Sequence, residues 1–224
     1  MLGVKREAFL ALVAVALLAG CGGSDEPENA AVTAPNIVQP GAPGEPSQTL
    51  SQEELEDIEQ TPHTKADVAF MKGMIHHHAQ ALHMTALVPK RTTNKDVTLL
   101  AKRIDISQED EIAQMTTWLE ARDEQPPVWH RLHGHAHGAG RVLMPGMLAD
   151  ADMERLAATR GAAFDRLFLR FMIRHHQGAL TMVEELYNAG GGAEPDAGAF
   201  VRHVESDQQI EIDRMQQLLA EGAG

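Results

Sequence analysis

Phe70-Met71-Lys72-Gly73-Met74-Ile75-His76-His77-His78 recurs later in the chain as Phe168-Leu169-Arg170-Phe171-Met172-Ile173-Arg174-His175-His176. The register holds on both sides of the motif. Asp67 matches Asp165, and Ala81, Leu82 and Met84 match Ala179, Leu180 and Met182. The segments that follow match too, with an offset two residues larger: Gln108, Glu111, Ile112, Met115 and Leu119 against Gln208, Glu211, Ile212, Met215 and Leu219. At 100° per residue, Phe70, Met74, His77, Ala81, Met84 and Val88 share one face of a helix, with Asp67 and His78 at its edge. Each half therefore reads as a helix hairpin. Two hairpins packed together give an all-α, antiparallel four-helix bundle with an approximate twofold axis.

Punctuation sets the expected boundaries. Pro62 precedes a long helix over about 64–88, which stops at Pro89. Asn94 caps a second that runs to about 122. A short helix from about 149 to 161 leads into a long one over 162–188, ended by Gly190-Gly191-Gly192. A last helix covers about 195–221. The first hairpin thus occupies 61–122, the second 151–222, and a connector lies over 123–150. Within the connector, His130, His133, His135 and His137 form a tract able to hold metal loosely. No segment sustains period-two alternation, so no sheet is expected.

Outside the bundle, Lys5-Arg6 precedes an apolar run from Ala8 to Ala19, and Leu18-Ala19-Gly20-Cys21 looks like a lipobox. Residues 1–20 read as a lipoprotein signal peptide, too short in its apolar part to span a bilayer, with Cys21 as the lipidated residue. Residues 21–60 read as a flexible tether, poor in large apolar side chains, that ends in a short helix capped at Ser51. The chain is then held at the cell envelope by its lipid and lies outside the cytoplasm. A formal charge of −13 over 224 residues argues against nucleic acid and favours cations. With one Cys, no disulfide forms within the chain. Nothing in the sequence identifies a protein partner.

Twelve His and eleven Met are the compositional anomaly. Met74, His77, His78 and Met84, with Met172, His175, His176 and Met182, are the candidate metal ligands. Asp67, Glu111, Met115, Asp165, Glu211 and Met215 form a supporting set. Gln108, Glu111, Gln208 and Glu211 fall within otherwise apolar faces and need buried partners; Glu to His is the obvious pairing. Two readings fit. In one, these histidines are core residues satisfied by Glu and Gln, and the methionines are adaptable packing. In the other, imidazole and thioether make a soft metal site with carboxylates behind it. Spacing alone does not separate them. His76 and His83 lie on the opposite face without counterparts in the second half, and read as surface residues.

The motifs Asp67-Val68-Ala69-Phe70 through Met74-Ile75-His76-His77-His78 and Met84, with Gln108, Glu111, Met115 and Trp118-Leu119, resemble a known family. So do Met144-Pro145-Gly146-Met147, Phe164-Asp165, and Phe171-Met172-Ile173-Arg174-His175-His176-Gln177-Gly178-Ala179 with Met182. The family comprises exported bacterial helical-bundle proteins labelled as a domain of unknown function, and includes the copper-binding protein CopM. The resemblance covers about 61–219 and implies a ferritin-like bundle, with copper as the metal. The chain departs from the family pattern at Ala79-Gln80, where Gln-Gly is usual, and in its His-rich connector. Copper capture at the envelope is the leading expectation; a structural or interaction lipoprotein without metal is the alternative. A di-iron enzyme would need Glu-x-x-His pairs, which the chain lacks, and no Ser or Cys nucleophile motif is present. No enzymatic activity is expected.

Overall fold

The computed structural model describes residues 37–39, 46–51, 61–128 and 143–222. The signal segment with Cys21, the short helix after Ser51, and the connector histidines at 130, 133, 135 and 137 lie outside the described residues. By its contacts the chain divides into two units, one up to Ile58 and one from Glu59 onward.

The first unit holds a small departure from the helical expectation. Strands β1 (Ile37–Gln39) and β2 (Gln48–Leu50) pair antiparallel, with Ile37 opposite Leu50, Val38 opposite Thr49 and Gln39 opposite Gln48. The expectation of no sheet is corrected to this extent. β-Branched residues at 37, 38 and 49 favour extended backbone, while three residues per strand are too few for alternation to show. So short a ladder builds no core.

The second unit is the bundle. Helices α1 (Lys65–Thr85) and α2 (Lys95–Glu120) form the first hairpin. A short α3 (Asp150–Ala158) leads to α4 (Gly161–Asn188) and α5 (Pro195–Ala220), the second hairpin. α1 packs on α2 and α4 on α5, while α1 against α4 and α2 against α5 close the bundle. Local chemistry sets the ends. Thr64 and Asp67 form a capping box at the start of α1. Pro89 tightens the chain after α1 into a 3₁₀ turn over Val88–Lys90, so the helix stops at Thr85. Asn94 Oδ1 accepts from the N–H groups of Asp96 and Val97. Pro195 starts α5 behind a Glu194 cap.

Side chains tie the hairpins together at their ends. Asp67 Oδ2 accepts from Thr64, and its Oδ1 accepts from the Gly192 N–H at 2.6 Å. Gly190 and Gly192 both have φ of 79°, and at Gly191 a Cβ would strike Leu186 and crowd Asp67. The glycine run is thus what lets the α4–α5 turn reach α1. At the same end Glu194 accepts from the Trp118 indole and from Arg122.

Buried apolar residues form two clusters. One contains Phe70, Met74, Met115, Met182 and Phe200; the other contains Met84, Phe164, Phe168, Met172 and Met215. Along all four long helices the division falls at the same level. Gln108, Glu111, Gln208 and the four motif histidines occupy that level, all buried. A polar layer therefore crosses the middle of an apolar bundle.

Candidate metal centre

The apolar faces of α1 and α4 turn His77 and His175 inward, and their rings lie 3.8 Å apart between centroids, tilted by 34°. His78 stands 6.4 Å from His77, and His176 stands 6.1 Å from His175. All four are fully buried, so His78 lies inside the bundle rather than at the edge of the face. Carboxylates from the partner helices close both ends. His78 Nε2–H donates to Glu111 Oε2 at 2.5 Å, and His176 Nε2–H donates to Glu211 Oε2 at 2.7 Å. The result is one row across the bundle: Glu111, His78, His77, His175, His176, Glu211.

The inner pair differs from the outer pair and within itself. His77 Nε2–H donates to the Pro145 carbonyl at 2.9 Å. A carbonyl only accepts, so the proton of neutral His77 sits on Nε2 and the lone pair on Nδ1. The same logic places the lone pair of neutral His78 and His176 on Nδ1, because Nε2 faces a carboxylate. All three Nδ1 atoms are buried without a hydrogen-bond partner, and so are both ring nitrogens of His175. Burial, and after it the His78 imidazole, pushes His77 down from 6.5 to about 3, the Pro145 carbonyl opposing and His176 adding least. Burial and the surrounding His77, His176 and His78 also hold His175 well below its ordinary value, with the His77 main chain opposing. Both inner rings are neutral at physiological pH and carry free lone pairs.

The Pro145 carbonyl reaches His77 because the chain of Met144-Pro145-Gly146-Met147 lies directly on α4. At Gly178 a Cβ would collide with the Pro145 carbonyl and with Gly146, and Gly146 itself has φ of 74°. On α1 the equivalent position is Gln80, whose side chain holds the same loop by another means. It donates to the Leu148 carbonyl at 2.9 Å and accepts from the Leu148 N–H at 2.7 Å. The departure at Ala79-Gln80 is thus a clamp for the connector.

The methionines do not converge on one point. Met74 and Met182, with Met115, lie in the apolar cluster on one side of the row, and Met84 and Met172, with Met215, in the cluster on the other. The reason is direction. α1 and α4 run antiparallel, so the residue before the first pair and the one after the second fall at the same level. Met144 joins the first set: its Sδ and the Met182 Cε lie 3.5 and 3.4 Å from where a Gly73 Cβ would stand. Sulfur thus flanks both faces of the row.

Asp67 and Asp165 are not part of this arrangement. Each lies ten residues before the inner histidine of its helix, about 15 Å along the axis, and Asp67 is committed to Thr64 and Gly192. The capping spacing from Thr64 to Asp67 was the signal for that role. His76 and His83 are half-buried and outside the row. The Pro145 carbonyl, a backbone atom, has no signature in the sequence. Four buried imidazoles, each with a ring nitrogen left without a partner, and thioethers on either side are a donor set that fits a soft or borderline metal, copper above all. Glu111 and Glu211 are positioned as the outer partners that orient the ligating rings.

Comparison with curated proteins found no match. Among solved structures, the chain is 31% identical to a DUF305 fragment from Deinococcus radiodurans, with a TM-score of 0.61 over 72% of this chain and 99% of that one. It is 28% identical to a protein from Streptomyces coelicolor described as secreted and of the same family, with a TM-score of 0.59 over 71% and 94%. CopM in its Cu(II)-bound form is 27% identical, with a TM-score of 0.55 over 69% and 96%, and CopM has also been solved in Cu(I)-bound, silver-bound and apo forms. The family profile described as Domain of unknown function (DUF305) matches residues 67–219, more than half of the chain, which therefore belongs to the DUF305 family.

Proposed function

We propose that this protein binds copper at the cell envelope, through the buried histidine row and the methionines on its two sides, and that it sequesters or hands on the metal rather than catalysing a reaction. One observation carries the reading: five ring nitrogens of His77, His78, His175 and His176 are buried without a hydrogen-bond partner. Each unmatched buried polar group costs about 1–3 kcal/mol, so such a group calls for an explanation. Burying Leu or Phe in the same places would contribute about 1.5–3 kcal/mol apiece instead. Metal binding accounts for the pattern, because neutral imidazole is the ligating form and burial keeps the inner pair, His77 and His175, neutral. CopM, a family relative of the same fold, has been solved with Cu(I), Cu(II) and silver.

The remaining parts of the reading are a signal peptide over 1–20, lipid on Cys21, and a tether over 21–60 carrying the bundle outside the cytoplasm. No described helix is long and apolar enough to cross a membrane, so the anchor in this account is the lipid. Cys21→Ser should move the protein from the membrane to the soluble exported fraction. Cu(I) titration against a coloured chelator tests the metal. The intact protein should withdraw Cu(I), and the His77→Ala/His175→Ala variant should not. Withdrawal by neither would leave the row as a structural element and favour an interaction lipoprotein without metal, and equal withdrawal by both would put the copper outside the row.

A further inference from the structure

Glu111 faces two ways. Its Oε2 accepts from His78 within the bundle, and its Oε1 is buried and unpartnered. On the outward side, one oxygen each of Glu111 and Asp207 and a ring nitrogen of His203 lie within 4.8 Å of one another. The three line a surface groove of about 340 Å³ between α2 and α5, together with Arg103, Ser107 and Gln114. His203 and Asp207 are one turn apart on α5, 3.4 Å from each other. By itself that is an ordinary exposed helix pair, worth a few tenths of a kcal/mol.

The pseudo-equivalent side shows why the convergence is not ordinary. The same offset that matches Glu111 to Glu211 matches Ser107 to Asp207 and Arg103 to His203. Around Glu211, Ser107 donates its hydroxyl to Oε1 at 3.3 Å, so the carboxylate is met by a neutral donor. Around Glu111 the corresponding residue is Asp207, a second carboxylate. Burial first, then the charges of Glu111 and Glu211, push the Asp207 carboxyl above its usual range, while His203 and Arg103 act against that. Two carboxylates and one imidazole converge in a solvent-reached groove with Arg103 on its wall, and their donor atoms are those a borderline divalent cation takes. Thioether, which favours Cu(I), is absent from the set.

We propose that Glu111, His203 and Asp207 form a second, peripheral site for a divalent cation of the Zn(II) class, open to solvent and joined to the histidine row through Glu111. This goes beyond the copper reading and stands independently of it, since its ligands other than Glu111 take no part in the row. The groove leaves room for water to complete the coordination.

Calorimetric titration of the mature protein with Zn(II) tests the site in three forms: wild type, His203→Ala/Asp207→Asn, and His77→Ala/His175→Ala. Because His203 is exposed and Asp207 half-exposed, the first variant should fold as the wild type does. It should lose one equivalent of Zn(II), or bind it about a hundredfold more weakly, while Cu(I) withdrawal stays unchanged. The His77/His175 variant should keep that equivalent. An unchanged Zn(II) isotherm in His203→Ala/Asp207→Asn overturns the site, as does a His77→Ala/His175→Ala variant that binds no Zn(II) at all. Loss of Cu(I) withdrawal bears on the row alone, so the two readings fail separately.

Discussion

The two hairpins bring their His-His pairs to the same level, yet they hold their inner histidines differently. His77 on α1 donates to the Pro145 carbonyl at 2.9 Å, whereas the ring of His175 on α4 has only the His77 main chain acting on it and no partner at good hydrogen-bonding geometry. The cause is the connector, which a duplication does not supply twice. It rests on α4 where Gly178 leaves space and is held to α1 by Gln80. One ring therefore has its tautomer fixed by a direct hydrogen bond, and the other is held less firmly. The repeat supplies four imidazoles, and the connector makes them inequivalent. A site built this way has one preset donor and one that adapts, which suits a metal whose oxidation state changes its preferred geometry.

The largest effect that sharpens this comparison is acid. Both inner histidines have folded values below the unfolded one; His77 falls from 6.5 to about 3, mainly through burial. Between those values the unfolded chain binds protons that the folded protein does not. The stability contribution is whole above about pH 6.5 and is lost as the pH falls toward 3. For His77 the loss is on the order of 5 kcal/mol at the acid end. Urea unfolding of the metal-free protein at pH 7, 5 and 4 should show falling midpoints. A His77→Phe/His175→Phe variant should show a shallower decline, and equal slopes in the two proteins would remove the buried neutral pair from the account.

Next comes the loop itself. Gly178→Ala drives a methyl group into backbone atoms of Pro145 and Gly146, which have little freedom to retreat, and should cost about 3 kcal/mol. Gly73→Ala is the control, since only flexible methionine tips lie near; its helix-propensity gain of about 1 kcal/mol should make it neutral or stabilising. Similar chemical-denaturation midpoints for the two would break the asymmetry. Gln80→Ala strips both partners from the buried Leu148 backbone and should cost about 2 kcal/mol. If Gln80 does act only through the connector, that loss should not add to the loss from Gly178→Ala. The smallest effect belongs to Ser107→Ala, which removes one half-buried hydroxyl from Glu211 and should shift stability by about 0.5 kcal/mol.

The fold was legible because a repeated motif with 3.6-residue periodicity gives both the number of long helices and the faces they bury. The inward placement of His77 and His175 followed from the same angle. Other features escaped for particular reasons. A helix face gives an angle and not a level, so the split of Met74 and Met182 from Met84 and Met172 had to await the antiparallel pairing. Asp67 carries a capping spacing from Thr64, and its role as a cap was readable yet outweighed by its place in the repeat. The Pro145 carbonyl is backbone and leaves no trace in residue type. Glu111 is far in sequence from His203 and Asp207, and only the packing of α2 on α5 brings it to them.

Thermal unfolding with and without Cu(I) tests the central claim most directly. At free Cu(I) a hundredfold above its dissociation constant, the wild type should gain about 2.7 kcal/mol, a midpoint rise of about 5–10 °C for a domain of this size. His76→Ala/His83→Ala, outside the row, should keep that rise, and His77→Ala/His175→Ala should lose it. A wild-type midpoint that does not move, or a rise that disappears with His76 and His83 and survives without His77 and His175, would contradict a copper centre in the bundle core.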